Sequence, residues 1–252
     1  MTFKARAKTL IATAALLATT ALAPAQAQSF TADQRQEIGA IVKEYLLAHP
    51  EVMQDVMAEM EKRQQAAENE KHRTAVAENK ATLFSSPHQV VLGNPQGNVT
   101  MVEFFDYNCG YCKRAMSDML DLIKTDNNLK FVLKEFPVLG EGSVEAARVA
   151  VAARMQDTTG KKYIEFHQKL LGSRGAADKM RALAVAKDVG FDMARIEKDM
   201  NSDEVKKTID ENLKLAEALG VNGTPSYVVG EEVVIGAVGI DTLREMIAAE
   251  RK

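Results

Sequence analysis

Val99-Thr-Met-Val-Glu-Phe-Phe-Asp-Tyr-Asn-Cys-Gly-Tyr-Cys-Lys-Arg, residues 99–114, decides the fold. Its first eight residues are apolar and rich in β-formers, which predicts a buried strand ending at Asp106. After Tyr107-Asn108, Cys109 opens a helical pattern that runs to Lys124, with Met116, Met119, Leu120 and Ile123 on one face. Leu129 to Phe136 reads as a second strand, closed by Pro137. The unit is strand–helix–strand, and its cysteines stand where unsatisfied backbone N–H groups and the helix dipole favour negative charge. Cys109 is therefore expected to be an exposed thiolate nucleophile, and Cys112, one turn in, a less exposed resolving thiol. Such a pair accepts or releases two electrons through a mixed disulfide with a substrate protein.

These are the only two cysteines in the 252 residues. A structural zinc site needs four ligands, and the chain has no second cysteine pair; His88 and His167 read as ordinary surface or core histidines. A purely structural bridge across so small a ring gains only about 2 kcal/mol in the chain-entropy model. Redox use remains, and it requires neither metal nor cofactor.

The N-terminus sets the compartment in which those thiols work. Lys4, Arg6 and Lys8 precede an apolar run from Leu10 to Ala23, and Ala25-Gln26-Ala27 offers small residues for cleavage before Gln28. Residues 1–27 thus read as a signal peptide, with an uncleaved anchor as the alternative. The run falls short of the roughly 20 residues that a bilayer span requires, and no later stretch approaches that length. A soluble periplasmic protein is expected. The formal net charge is −3, and loss of the basic leader makes the chain more acidic, which points away from nucleic acid.

Glu103 to Arg114 resembles the active-site signature of the DsbA-like branch of the thioredoxin superfamily. A second matching segment lies downstream, Gly220-Val-Asn-Gly-Thr-Pro-Ser-Tyr-Val-Val229. The resemblance implies a cis proline at Pro225 that faces the cysteines, with Thr224 before it, where a substrate strand could pair beside Cys109. Without the resemblance, a trans turn proline after Asn-Gly is the simpler reading. It also implies that Glu103, six residues before Cys109, is a buried carboxylate that exchanges a proton with Cys112; the alternative is an exposed strand residue. Helical patterns at Ser143–Gln156, Lys161–Leu171, Ala176–Val189 and Asp203–Leu219 fit the helical insertion of that branch, about residues 141–219. Short strands near Ser226–Val229 and Val233–Ile235 and a helix at Ile240–Ala249 complete an α/β thioredoxin fold over residues 84–252.

Residues 28–83 read as a helical arm and linker outside that fold. Asp33 is expected to cap a first helix carrying Ile38, Ile41, Val42, Tyr45 and Leu46. His49-Pro50 interrupts it, and Pro50 fits the first turn of a second helix with Val52, Met53, Val56, Met57 and Met60 as its apolar stripe. Glu61 to Lys80 is almost wholly polar. Such a stripe must pack on its own domain or on copies of itself. The arm is similar to the N-terminal segment of the suppressor-of-copper-sensitivity C proteins, which implies homo-oligomerisation. Met53, Met57 and Met60 are alternatively soft ligands for Cu(I).

Gly110 and Tyr111, between the cysteines, are expected to contact substrate. Strong oxidases of the branch carry a histidine there, whereas Cys-Gly-Tyr-Cys looks like the motif of exported disulfide isomerases. The expectation is an oligomeric isomerase or reductase of exported proteins, kept reduced by a membrane-bound electron donor. A monomeric oxidase and a copper-handling protein using Cys109 and Cys112 are the alternatives.

Overall fold

The computed structural model describes residues 30–157 and 159–252. The proposed leader and its cleavage site lie outside the described residues. Among those described, no helix is long and apolar enough to cross a membrane. The chain divides into two compact units, one ending at Ala58 and the other running from Glu59 to Lys252.

The first unit holds α1 (Ala32–Ala48) and the start of α2 (Glu51–Glu78). Thr31, not Asp33, caps α1. Its hydroxyl accepts from the Gln34 amide while the Gln34 side chain accepts from the Thr31 amide, a reciprocal box that Asp33, inside the first turn, cannot form. No residue of α1 is buried, and Met53, Val56 and Met57 at the start of α2 are exposed too.

In the second unit a five-stranded sheet runs in the order β1-β3-β2-β4-β5. The strands are β1 (Val90–Gly93), β2 (Val99–Phe105), β3 (Leu129–Glu135), β4 (Ser226–Val229) and β5 (Glu232–Ile235). Among the described strands only β2 and β3 pair in parallel, and α4 (Gly110–Thr125) makes the crossover that a parallel pair needs. The period of two along β2 sorts its side chains. Val99, Met101 and Phe105 join the core that contains Cys112, whereas Val102 and Phe104 point into the opposite one. α4 and α10 (Ile240–Glu250) cover the first face, and α3 (Lys80–Ser85) and α9 (Asp203–Ala218) pack on the second. The insertion comprises α5 (Glu141–Arg154), α6 (Lys161–Leu171), α7 (Lys179–Val189), α8 (Met193–Asp199) and α9. Alanines 146, 147, 150, 152 and 153 of α5 are buried, as are Ala182 and Ala186 of α7, and these small side chains let the helices approach closely.

The fully buried stripe of α4 is Cys112, Ala115, Met119 and Leu122, so Met116, Leu120 and Ile123 flank it rather than lead it. β1 and α8 were not anticipated from the sequence. Val76 and Leu83 are buried in the second core, so the polar stretch ends as part of the second unit.

Lys134 of β3 is a wholly buried cation. Its Nζ donates to the Thr82 carbonyl at 2.8 Å and lies 3.9 Å from Glu211 Oε1. Burial lowers its pKa from 10.5 to about 8, an effect that the Glu211 carboxylate opposes. Below pH 8 the ammonium is retained in both folded and unfolded chains. Between 8 and 10.5 the unfolded chain holds a proton that the folded one has released, so stability rises with pH there, by about 3 kcal/mol in full. Urea melts at pH 8 and 10 should show this rise, and Lys134→Met should flatten it. An equally steep rise in the variant would remove Lys134 as its source.

Candidate redox site at the start of α4

β2 delivers the chain to a tight turn over Asp106–Cys109, closed by a bond from the Cys109 amide to the Asp106 carbonyl at 3.0 Å. Cys109 is the N-cap of α4 in an extended conformation, and its Sγ accepts from the Cys112 amide at 3.4 Å. A cysteine sulfur thus occupies the place where Ser or Asp usually caps a helix, aimed at the orphan amides of the first turn. Both cysteines are free thiols.

Thr224-Pro225 is cis, and the Thr224 carbonyl accepts from Cys109 Sγ at 3.1 Å. The turn is braced by Ser226 Oγ donating to the Gly223 carbonyl and by the Gly236 amide donating to the Pro225 carbonyl. This lid corrects one expectation: Cys109 is only 5% exposed, because the Thr224 carbonyl lies against it. Cys112 is fully buried, so the order of accessibility stands, but Cys109 is far less open than its place at a helix start suggested. Gly110 is exposed, with open space where a Cβ would project. Tyr111 is exposed as well, with the Arg114 guanidinium 4.3 Å from its ring centre.

Glu103 lies on β2 opposite Leu133 and Tyr227, and it is 4% exposed. Burial, then the nearby Asp118 charge, raises its pKa from 4.5 to about 8. Burial also pushes the Cys112 thiol up, and the Glu103 charge adds to that, while a backbone hydrogen bond from Asp106 opposes it. The two groups therefore feel each other inside one apolar layer. A carboxyl group that titrates near neutrality beside a buried thiol can take or return its proton.

Several polar groups of the site escaped the sequence reading. Tyr107 OH lies 3.2 Å from Tyr163 OH and 3.3 Å from His167 Nδ1, and Tyr163 OH donates to Glu135 Oε1 at 2.7 Å. Burial drives Glu135 well above the carboxylate range and His167 down to about 3, so this network is neutral throughout. It fixes Tyr107 two residues ahead of Cys109. The signal available in sequence was a lone tyrosine between Asp106 and Asn108, with partners 56 and 60 residues away that no local pattern identifies. His88 instead pairs with Glu204 at 2.8 Å. Among the described residues, no group of three or more His, Cys, Asp or Glu side chains is placed to hold a metal ion.

Comparison with known proteins gives two family matches: a DSBA-like thioredoxin domain over residues 100–248, and a Copper resistance protein ScsC N-terminal domain over residues 34–67. A crystal structure of a thioredoxin-like oxidoreductase from Silicibacter pomeroyi DSS-3 is 45% identical. It covers 69% of this chain and 98% of its own, with a TM-score of 0.65. Proteus mirabilis ScsC in a transitional conformation is 25% identical over 88% of this chain and 97% of that one, with a TM-score of 0.64. The Disulfide bond formation protein D of Bacillus subtilis (strain 168) is 25% identical over 177 residues, 65% of this chain and 78% of that protein. The chain spans about a quarter of the length of the curated Na(+)/H(+) antiporters NhaA that it also matches, among them one from Herminiimonas arsenicoxydans. The first family match begins in β2 and runs through the cysteine helix, the insertion and the cis-proline turn into α10, more than half of the sequence. On that extent, the chain belongs to the DSBA-like thioredoxin domain family.

Proposed function

We propose that this protein is an exported, periplasmic thiol–disulfide oxidoreductase that acts as an oligomeric isomerase or reductase on substrate proteins. The observation that carries the chemistry is the alignment of Cys109 Sγ at the N-cap of α4, against the Thr224 carbonyl, with Cys112 and Glu103 buried behind it. Cys109 thiolate attacks one sulfur of a substrate disulfide, the S–S bond breaks, and the departing sulfur takes up a proton. Cys112 gives its proton to the Glu103 carboxylate and attacks Cys109 Sγ. The second substrate sulfur leaves as a thiol, two electrons have passed to the substrate, and a Cys109–Cys112 disulfide remains. Where a second substrate thiol attacks the mixed disulfide instead, the substrate departs with a rearranged bridge and the dithiol returns with no net redox change. Thr224 and Pro225 are assigned to hold the substrate strand, with Gly110 and Tyr111 beside it. A membrane-bound thiol donor would restore the dithiol after each reductive turnover.

Oligomerisation is assigned to the arm. Ile38, Ile41, Val42 and Tyr45 of α1 and Met57 and Met60 of α2 are all exposed, and the arm matches an N-terminal domain that also occurs in ScsC proteins. Light scattering should give a mass above that of one chain. Ile41→Lys with Met57→Lys should lower it to a single chain and weaken repair of scrambled disulfides, leaving single-disulfide reduction intact. One chain in both forms would sink the arm's role and favour a monomeric oxidase.

A further inference from the structure

We propose that Asp106, Asn108 and Ser143 form a latch that fixes exposed apolar residues of the loop after β3 and of the insertion to the turn that carries Cys109, and so sets how tightly a polypeptide substrate is held. This rests on the reading that Cys109 attacks disulfides of polypeptides. Asp106 is 1% exposed, and its carboxylate accepts four hydrogen bonds. Oδ2 takes the amides of Val138 at 2.9 Å and Leu139 at 3.0 Å. Oδ1 takes the Asn108 amide at 2.8 Å and the Ser143 hydroxyl at 2.7 Å. Asn108 continues the chain. Its Oδ1 accepts from the Ala177 amide at 2.8 Å, and its Nδ2 donates to the Ala177 carbonyl at 2.9 Å and to Ser143 Oγ at 2.9 Å. The Asn108–Ala177 exchange of two bonds imitates a backbone pair within a sheet.

The latch therefore ties three distant segments to the turn that carries Cys109: the loop after β3, the first turn of α5, and the approach to α7. Two of them present bare apolar side chains beside the tie. Val138 and Leu139 are exposed, and Met180, three residues past Ala177, is 79% exposed. Single exposed apolar residues need no explanation, but Val138 and Leu139 give their amides to the buried Asp106 carboxylate, and Met180 follows closely on the Ala177 pair with Asn108. The Cys109 amide bonds to the Asp106 carbonyl, not to the latch side chains, so loosening the latch moves these apolar residues and spares the nucleophile.

Asn108→Ala leaves the Ala177 amide and carbonyl without partners on a residue that is 1% exposed, which frees the segment leading into α7. With insulin as polypeptide substrate and dithiothreitol as reductant, KM should rise about fivefold while kcat stays within about twofold, as loss of one or two neutral hydrogen bonds implies. Oxidation of the dithiol by glutathione disulfide should be unaltered. Ser143→Ala, which keeps the Asn108–Ala177 exchange, should raise KM about twofold and serves if the first variant does not fold. Unchanged KM in the variants overturns the latch alone, and so do KM and kcat that collapse together with both substrates. A wild type that reacts with glutathione disulfide but not with insulin overturns the latch and the polypeptide reading together.

Discussion

Cys112→Ala is expected to accumulate as a covalent adduct in which Cys109 is joined to its substrate, with turnover lower on the order of 10³-fold or more. Accessibility and acidity together enforce this. Cys109 is the sulfur at the surface edge, and Cys112 is completely enclosed, so an incoming disulfide meets Cys109 first. In the free enzyme the buried Cys112 thiol is held neutral by its surroundings and by the Glu103 charge, which keeps it from competing for substrate. After the first exchange its one reachable target is Cys109 Sγ, bonded to its own amide one helical turn away. Deleting that sulfur leaves the mixed disulfide to be broken by external thiols alone. Alanine fills most of the site, so the fold should survive with a small loss of packing. Non-reducing electrophoresis and intact-mass measurement after mixing with an unfolded disulfide protein would read the adduct. Cys109→Ser, lacking the first sulfur, should trap nothing. Trapping by Cys109→Ser and not by Cys112→Ala would exchange the two roles.

The strand–helix–strand of residues 99–136 was legible because its strands are apolar runs of β-formers and its helix carries an apolar face, and the elements fall within a residue or two of their expected ends. Glu103 was placed in the buried layer and Pro225 was expected to be cis through family resemblance, since composition and spacing alone favoured neither. β1 was hidden because Val90–Gly93 carries no motif to mark it, and the pairing that makes it a strand is with β3, far along the chain. α8 is seven residues long and depends on the Asp192 cap more than on any stripe. Long-range bonds explain the misjudged exposure of Cys109 and the overlooked Asp106. The carbonyl that covers the sulfur belongs to Thr224, and the four donors on the carboxylate are spread over residues 108 to 143. Local sequence reports which side chains face inward; it does not report which distant backbone arrives to meet them.

Glu103→Gln should make the protein more stable and slower at once. A carboxyl group raised from 4.5 to about 8 by folding contributes stability that is fully present below pH 4.5 and is lost as pH rises through 8. In that window the folded chain holds a proton that the unfolded chain has released. Above pH 8 the folded protein carries a buried, uncompensated carboxylate, at a cost of about 5 kcal/mol, a sizeable part of the stability of an ordinary domain. Glutamine keeps the shape and removes the charge, so the variant should match the wild type near pH 4.5 and exceed it by several kcal/mol at pH 8.5. The window lies on the acid side of the one assigned to Lys134, and its sign is opposite, so the two effects separate in one pH series. The rate at which Cys112 resolves the mixed disulfide should fall about a hundredfold or more, the ordinary size of a proton-transfer contribution, because no group remains to take the thiol proton. Its wild-type pH profile, which rises as Glu103 ionises near 8, should lose that inflection in the variant. General damage to the site would lower stability and rate together. Wild-type stability that is level from pH 4.5 to 8.5 would remove the buried charge, and an unaltered resolution rate in the variant would remove its catalytic use; gain of one with loss of the other is what a proton carrier kept at the expense of stability must show.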